Sequence, residues 1–226
     1  MSMTDQIEAT NRGLARVWIE FESALIQVPV IARLTGGRLR LEEYRSLLRN
    51  LRQQVVEGGR WISRAASSFG PAHEDLRAMF ITHAAAEHRD YRLLEQNYVA
   101  AGGTLEEIRS APKNIGTEAL SAFMYQAASQ PDPVGLLGAM FIIESLGNRL
   151  AGPWADKLAA QLDLAPDALT FLRYHGENDV AHMAEFDHAL TLAVGSGGEA
   201  ASATIVRHAQ IVARLYRLQL EELDNG

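Results

Sequence analysis

The chain has 226 residues, 47% of them hydrophobic and 22% charged, a globular composition with enough length to bury a substantial core. A net charge of −7 with no basic run argues against a nucleic-acid partner. The absence of cysteine excludes thiol nucleophiles, disulfides and thiolate metal sites together, and fits a cytoplasmic protein.

The polar start, MSMTDQIEATNRG, has no signal-peptide pattern, and no run reaches the roughly 20 apolar residues of a membrane span. Residues 4–34 read as one long helix through Leu14, Val17, Trp18, Phe21, Ala24, Leu25 and Val28, kinked at Pro29 and closed by Gly36-Gly37. Glu22 on it reads as solvated. A second helix, residues 41–67, packs through Leu47, Leu48, Leu51, Val55, Trp61 and Ile62. Its Glu57 lies between Val55-Val56 and Gly58-Gly59 and faces either the interior or solvent. The two glycines cost roughly 1 kcal/mol each in a helix interior and mark either close packing or a break.

After the turn Phe69-Gly70-Pro71, a third helix spans residues 72–101 and closes at Gly102-Gly103. Thr104 with Glu107 forms a capping box that opens a short helix ending near Pro112. Another helix spans 117–128. Residues 134–150 form a strongly apolar helix whose only acid, Glu144, directly follows Met140, Phe141, Ile142 and Ile143. A carboxylate there is costly to bury alone, so it either reaches the surface or meets a cation. A shorter helix follows Gly152-Pro153. A long one runs from Pro166 to Gly195, Ser196-Gly197-Gly198 is a linker, and a last helix spans 200–223. With no strand pattern and no repeat, the expectation is one all-α domain over residues 1–226, of about seven or eight helices.

Two of these helices carry an unusual stripe. His175, Asp179 and His182 recur at the helical period between apolar flanks, Leu172 before and Phe186 and Leu190 after. His83, Glu87 and Asp90 repeat the pattern between Leu76, Phe80 and Leu94. The bland alternatives are hydrogen-bonded core histidines and, for the second stripe, a solvated face paired with Arg89 and Arg92. With Glu57 and Glu144, the candidates are five carboxylates and three imidazoles, too many for one ion and suited to two ions sharing carboxylates. Oxygen ligands mixed with imidazole suit iron or manganese.

These motifs resemble the haem-oxygenase-like di-iron oxidases, often labelled iron-containing redox enzymes, which share a fold with haem oxygenase, thiaminase II and pyrroloquinoline-quinone synthase. His175-x3-Asp179-x2-His182 is similar to that family's last ligand helix, and His83-x3-Glu87-x2-Asp90 to its second. GAMFIIES, residues 138–145, resembles the segment that supplies a lone Glu, and ARLTGGRLRLEEY, residues 32–44, its first helix junction. The resemblance implies a haem-oxygenase-like bundle with Glu57, Glu87, Glu144, His175, Asp179 and His182 as iron ligands. Asp90 stands where members commonly have His, and His83 where some have Glu.

Haem is not expected, because no His precedes His73, and thiaminase chemistry lacks its Cys. The expected function is O₂-dependent oxidation of a small organic substrate at two iron (or iron and manganese) ions, in a homodimer with no membrane partner. The alternatives are a metal-free enzyme or small-molecule binder of the pyrroloquinoline-quinone-synthase type, and a non-catalytic helical protein.

Overall fold

The computed structural model describes residues 2–224, apart from the side chains of residues 178–181. Helix α1 (Met3–Leu25) opens at a capping box: the Ser2 hydroxyl accepts the Asp5 N–H, and the Asp5 carboxylate accepts the Ser2 N–H. Its buried face is Leu14, Val17, Trp18, Phe21 and Leu25. The expected kink at Pro29 is instead a full break. Val28 is extended, as a residue before proline prefers, and Pro29 begins a separate helix, α2 (Pro29–Thr35), where its missing N–H costs nothing.

Helix α3 (Leu41–Ser68) crosses the molecule unbroken, with Gly58 and Gly59 inside it. The expected third helix is two: α4 (Glu74–Glu87) and α5 (Tyr91–Ala100), parted by a turn at residues 88–90. The break sits where α3 comes closest. A Cβ on Gly59 would lie 2.8 Å from the His88 Cα, so α3 and the turn meet backbone to backbone. The short α6 (Leu105–Ser110) keeps the expected Thr104–Glu107 capping box, and α7 (Ile115–Ala128) is capped by Asn114.

Helix α8 (Leu136–Leu146) is the most deeply buried element: of its eleven residues only Ile143 is not buried. It does not stop at Gly152-Pro153. A π-helical turn, Gly147–Ala151, carries it into α9 (Gly152–Leu162), with Pro153 tolerated in the first turn. Helix α10 (Thr170–Glu221) follows a 3-10 turn at Pro166–Ala168 and is broken at Gly198, where φ is +56°. The break falls in the glycine-rich stretch expected to be a linker. His73 ties it down, its ring reaching Ser196 Oγ at 3.2 Å and Asp132 Oδ1 at 3.1 Å.

No strand occurs among the described residues. The buried apolar side chains form one connected cluster reaching from Leu14 to Leu220. Within the segment His182–Asp224 one 18-residue stretch, of mean hydropathy 1.2, is by length and composition long and apolar enough to cross a membrane. Ile205, Ala209 and Val212 on this segment are buried in the common core.

Candidate metal centre

Three separate helices and the turn at residues 88–90 deliver the acids and imidazoles. His83 and Glu87 lie one turn apart on α4, so their side chains leave the same face. Glu144 projects from the apolar α8, and His175 and His182 from α10. Asp90 is not on the α4 stripe: the helix has ended, and the residue stands at the N-cap of α5. The turn nonetheless brings it back to the same pocket. Two close backbone approaches set the distance between these helices. A Cβ on Gly138 would fall on the Ile205 carbonyl oxygen, so α8 and the second half of α10 touch directly. A Cβ on Gly176 would lie 3.0 Å from the Gly152 nitrogen, which brings the His175 turn against α9.

Glu144 is the hub. It is 5% exposed, with His182 Nδ1 2.9 Å from Oε2 and His83 Nε2 3.2 Å from Oε1. The two rings meet edge to face at 4.9 Å. His182 Nδ1 also lies 3.7 Å from Glu87 Oε1, and His175 Nε2 is 3.6 Å from Asp90 Oδ2. The side chains sort into two sets, His83, Glu87, Glu144 and His182, and Glu87, Asp90 and His175, with one potential ligand atom per residue all within 4.8 Å of each other. Glu87 belongs to both.

This donor set fits metal ions. Ligand bonds of about 2.0–2.2 Å place ligand atoms across an ion at most about 4.4 Å apart, so each set needs only small side-chain shifts to close. Glu95, another buried acid, is held by guanidinium groups, Arg52 Nη2 at 2.9 Å and Arg109 Nη2 at 2.8 Å. Glu144 is met by imidazoles, and two more carboxylates stand in the same pocket.

Burial by itself would raise the pKa of Glu144, but hydrogen bonds from His182 and His83 outweigh it and hold the group well below the ordinary carboxylate range. Glu87 goes the other way. Burial and the adjacent Glu144 charge push it up to about 7, against the pull of His175 and His83. One carboxylate therefore stays ionised while its neighbour holds a proton near neutrality.

Glu57 does not join them. Its carboxylate takes Lys113 Nζ at 2.9 Å and the Tyr125 hydroxyl at 2.6 Å, with Arg60 at 3.5 Å. It pins α3 to α7 and the segment before it. The expectation of Glu57 as a ligand is corrected on that ground: the acid is already neutralised by its own cation. Asp179 lies outside the described residues. His88, next to Glu87, is exposed, and its ring bonds the Ala85 carbonyl.

The profile of the iron-containing redox enzyme family matches residues 49–217. The chain belongs to that family. Among solved structures, a Shewanella denitrificans domain of unknown function with a haem oxygenase-like fold is 17% identical, with a TM-score of 0.85 over 93% of this chain and 90% of that one. A TenA homologue from Pseudomonas syringae pv. tomato is 14% identical, with a TM-score of 0.76 over 96% and 93% of the two chains. A TenA homologue from P. horikoshii is 17% identical, with a TM-score of 0.71 over the full length of both. At these identities the likeness is one of fold, and it makes the bundle haem-oxygenase-like. A search of curated proteins returns no significant match.

Two cavities reach the cluster of this family member. The larger, about 90 Å³, comes to the His175 end and is mostly apolar, with walls that include Leu51, Trp154, Phe171 and Leu172. The π turn contributes Gly147 and Ala151 to the same wall. Its polar groups away from the cluster include Gln54 and Tyr216. A second amide, Gln219, meets Gln54 at 2.6 Å and stands 3.1 Å from Thr117 Oγ1. Sequence reading passes over Gln54 and Tyr216. Each follows the helical period of an ordinary amphipathic face, and only the packing of α3 against the end of α10 makes them neighbours.

Proposed function

We propose that this protein is an O₂-dependent oxidase or oxygenase that acts on a small organic substrate at two metal ions, iron or iron with manganese. The observation that carries the reading is Glu87, a carboxylate common to two ligand sets that otherwise draw on different residues. His83, Glu87, Glu144 and His182 would hold one ion, and Glu87, Asp90 and His175 the other. Bound iron would supply electrons and open coordination positions for the reduction of O₂.

The chain's own residues do the remaining work. Glu87, present in both sets, would spread its charge over the two positions, and Asp90 would serve the second alone. The larger cavity has several times the ~10–15 Å³ that a water needs, so it has room for a small organic molecule beside His175 and Glu87. Its apolar walls exclude bulk water from the reacting end. Gln54 and Tyr216 offer a neutral hydrogen bond at the other end, and no Lys or Arg lines this cavity among the described residues. A neutral hydroxyl, carbonyl or ring heteroatom suits that position better than a second carboxylate.

The test is metal analysis of protein purified with and without air, then reloaded anaerobically with Fe(II). About two ions per chain are expected from a shared-carboxylate site. Fe(II)-loaded protein is expected to consume O₂ when substrate enters. Protein that refuses iron under these conditions overturns the reading. The imidazole–carboxylate contacts at Glu144 support a second reading, a metal-free binder, because those hydrogen bonds satisfy one another without an ion. An organic molecule retained by metal-free protein would select it.

A further inference from the structure

The second cavity meets the cluster from the other end. It is about 50 Å³ and touches His83, Glu87 and Glu144. Gln54, Val55 and Ile143 line both cavities and stand between them. Away from the cluster its walls are Val55, Gly58, Trp61, Ile62, Met140 and Ile143, with the Gln54 amide beside them.

Gly58 is the residue to explain. Glycine inside a helix costs roughly 1 kcal/mol against alanine. At Gly59 the close approach of the His88 backbone accounts for it. At Gly58 a Cβ would meet nothing within 4 Å. Packing therefore does not require glycine there. Gln54, Gly58 and Trp61-Ile62 follow one stripe of α3, and all four residues line the cavity, so a side chain at 58 would enter the void. Glycine at 58 preserves empty space next to the metal-binding side chains.

We propose that this smaller cavity is a binding site for dioxygen, kept open by the missing side chain of Gly58; the identity of the guest rests on the oxidase reading above. The walls select a small apolar guest. The volume is several times what one water needs, and away from the cluster the one amide in its wall, Gln54, already has its carbonyl oxygen held by Gln219 Nε2 at 2.6 Å. Dioxygen is diatomic, uncharged and favoured by apolar surroundings. A separate chamber lets it wait at the His83 end while an organic substrate fills the larger cavity at the His175 end.

The experiment uses metal-free full-length protein under xenon pressure, read by X-ray diffraction or xenon NMR, with toluene as the probe of the larger cavity. Xenon is expected among Trp61, Met140 and Ile143. Gly58→Val should remove it and leave toluene binding intact. Met140→Phe fills the same void from the facing helix and makes the same prediction should the valine variant not fold. Xenon missing from this cavity in the wild type, or persisting in a folded variant, overturns the proposal. Iron analysis of the same preparations separates the two readings. Xenon bound in protein that takes no iron supports the apolar gas site while removing the oxidase. Protein that loads iron but leaves the cavity free of xenon loses only the dioxygen site.

Discussion

At the scale of single residues, the contrast between Glu87 and Glu144 makes a prediction about pH. In metal-free protein Glu87 is pushed from 4.5 up to about 7, first by burial and then by Glu144. A carboxylate raised in the folded state favours folding while both states are protonated. Its contribution is complete below about pH 4.5 and is lost as pH rises through 7, by roughly 3 kcal/mol across that window. Urea unfolding of the metal-free protein at pH 5 and pH 8 should show that loss, and Glu87→Gln should remove it. Metal uptake needs the ionised form, so loading above pH 7 should reverse the loss and release a proton at lower pH. The two candidate stripes are legible in the sequence because a helix repeats locally: His83 and Glu87 share a face by spacing alone. Glu57 is not legible in the same way. Its partners Lys113 and Tyr125 lie 56 and 68 residues away, and no periodicity on α3 announces them. Asp90 reaches the pocket although α4 ends before it, so for that residue the right neighbourhood follows from the wrong local geometry.

At the scale of elements, the centre depends on how closely α8 and α10 approach. Gly138 decides that distance, because a methyl there would collide with the Ile205 carbonyl, a backbone atom that cannot turn aside. Gly138→Ala should cost about 1–3 kcal/mol as an overpacked contact. By moving α8 away from α10 it should also part Glu144 from His182 and lower iron uptake more than the stability loss explains. Urea melts and iron content, measured on the same samples, test this; full iron content in a destabilised variant would show that the crossing does not set the site. Helix breaks were less legible than helices. Proline and glycine marked the break at 28–29 and the one at Gly198, since both act through their own backbone. The turn at 88–90 carries neither residue; it forms where α3 presses on His88 through Gly59, a contact between distant segments. The π turn at Gly147–Ala151 is not legible either: Gly152-Pro153 reads as the end of a helix, whereas the π turn carries the chain on into α9.

At the scale of the whole molecule, the cluster joins α4, the turn at residues 88–90, α8 and α10. Ions bound there would cross-link the helices that begin at residues 74, 136 and 170 and the turn at residues 88–90, and ions that bind only the folded form stabilise it by mass action. At a hundredfold excess over the dissociation constant one ion contributes about 2.7 kcal/mol, and a chain of this size gains roughly 2–4 °C per kcal/mol. Anaerobic Fe(II) or Mn(II) should therefore raise the melting temperature of metal-free protein by about 5–10 °C. Mg(II) should do far less, since it takes oxygen ligands and dehydrates reluctantly, whereas half of the donors here are imidazoles. His182→Ala should abolish most of the Mn(II) shift, because that ring faces both Glu87 and Glu144. An equal shift with Mg(II), or an undiminished one in the His182 variant, would mean that the ions act elsewhere on an acidic surface and that the buried cluster is a hydrogen-bonded network alone.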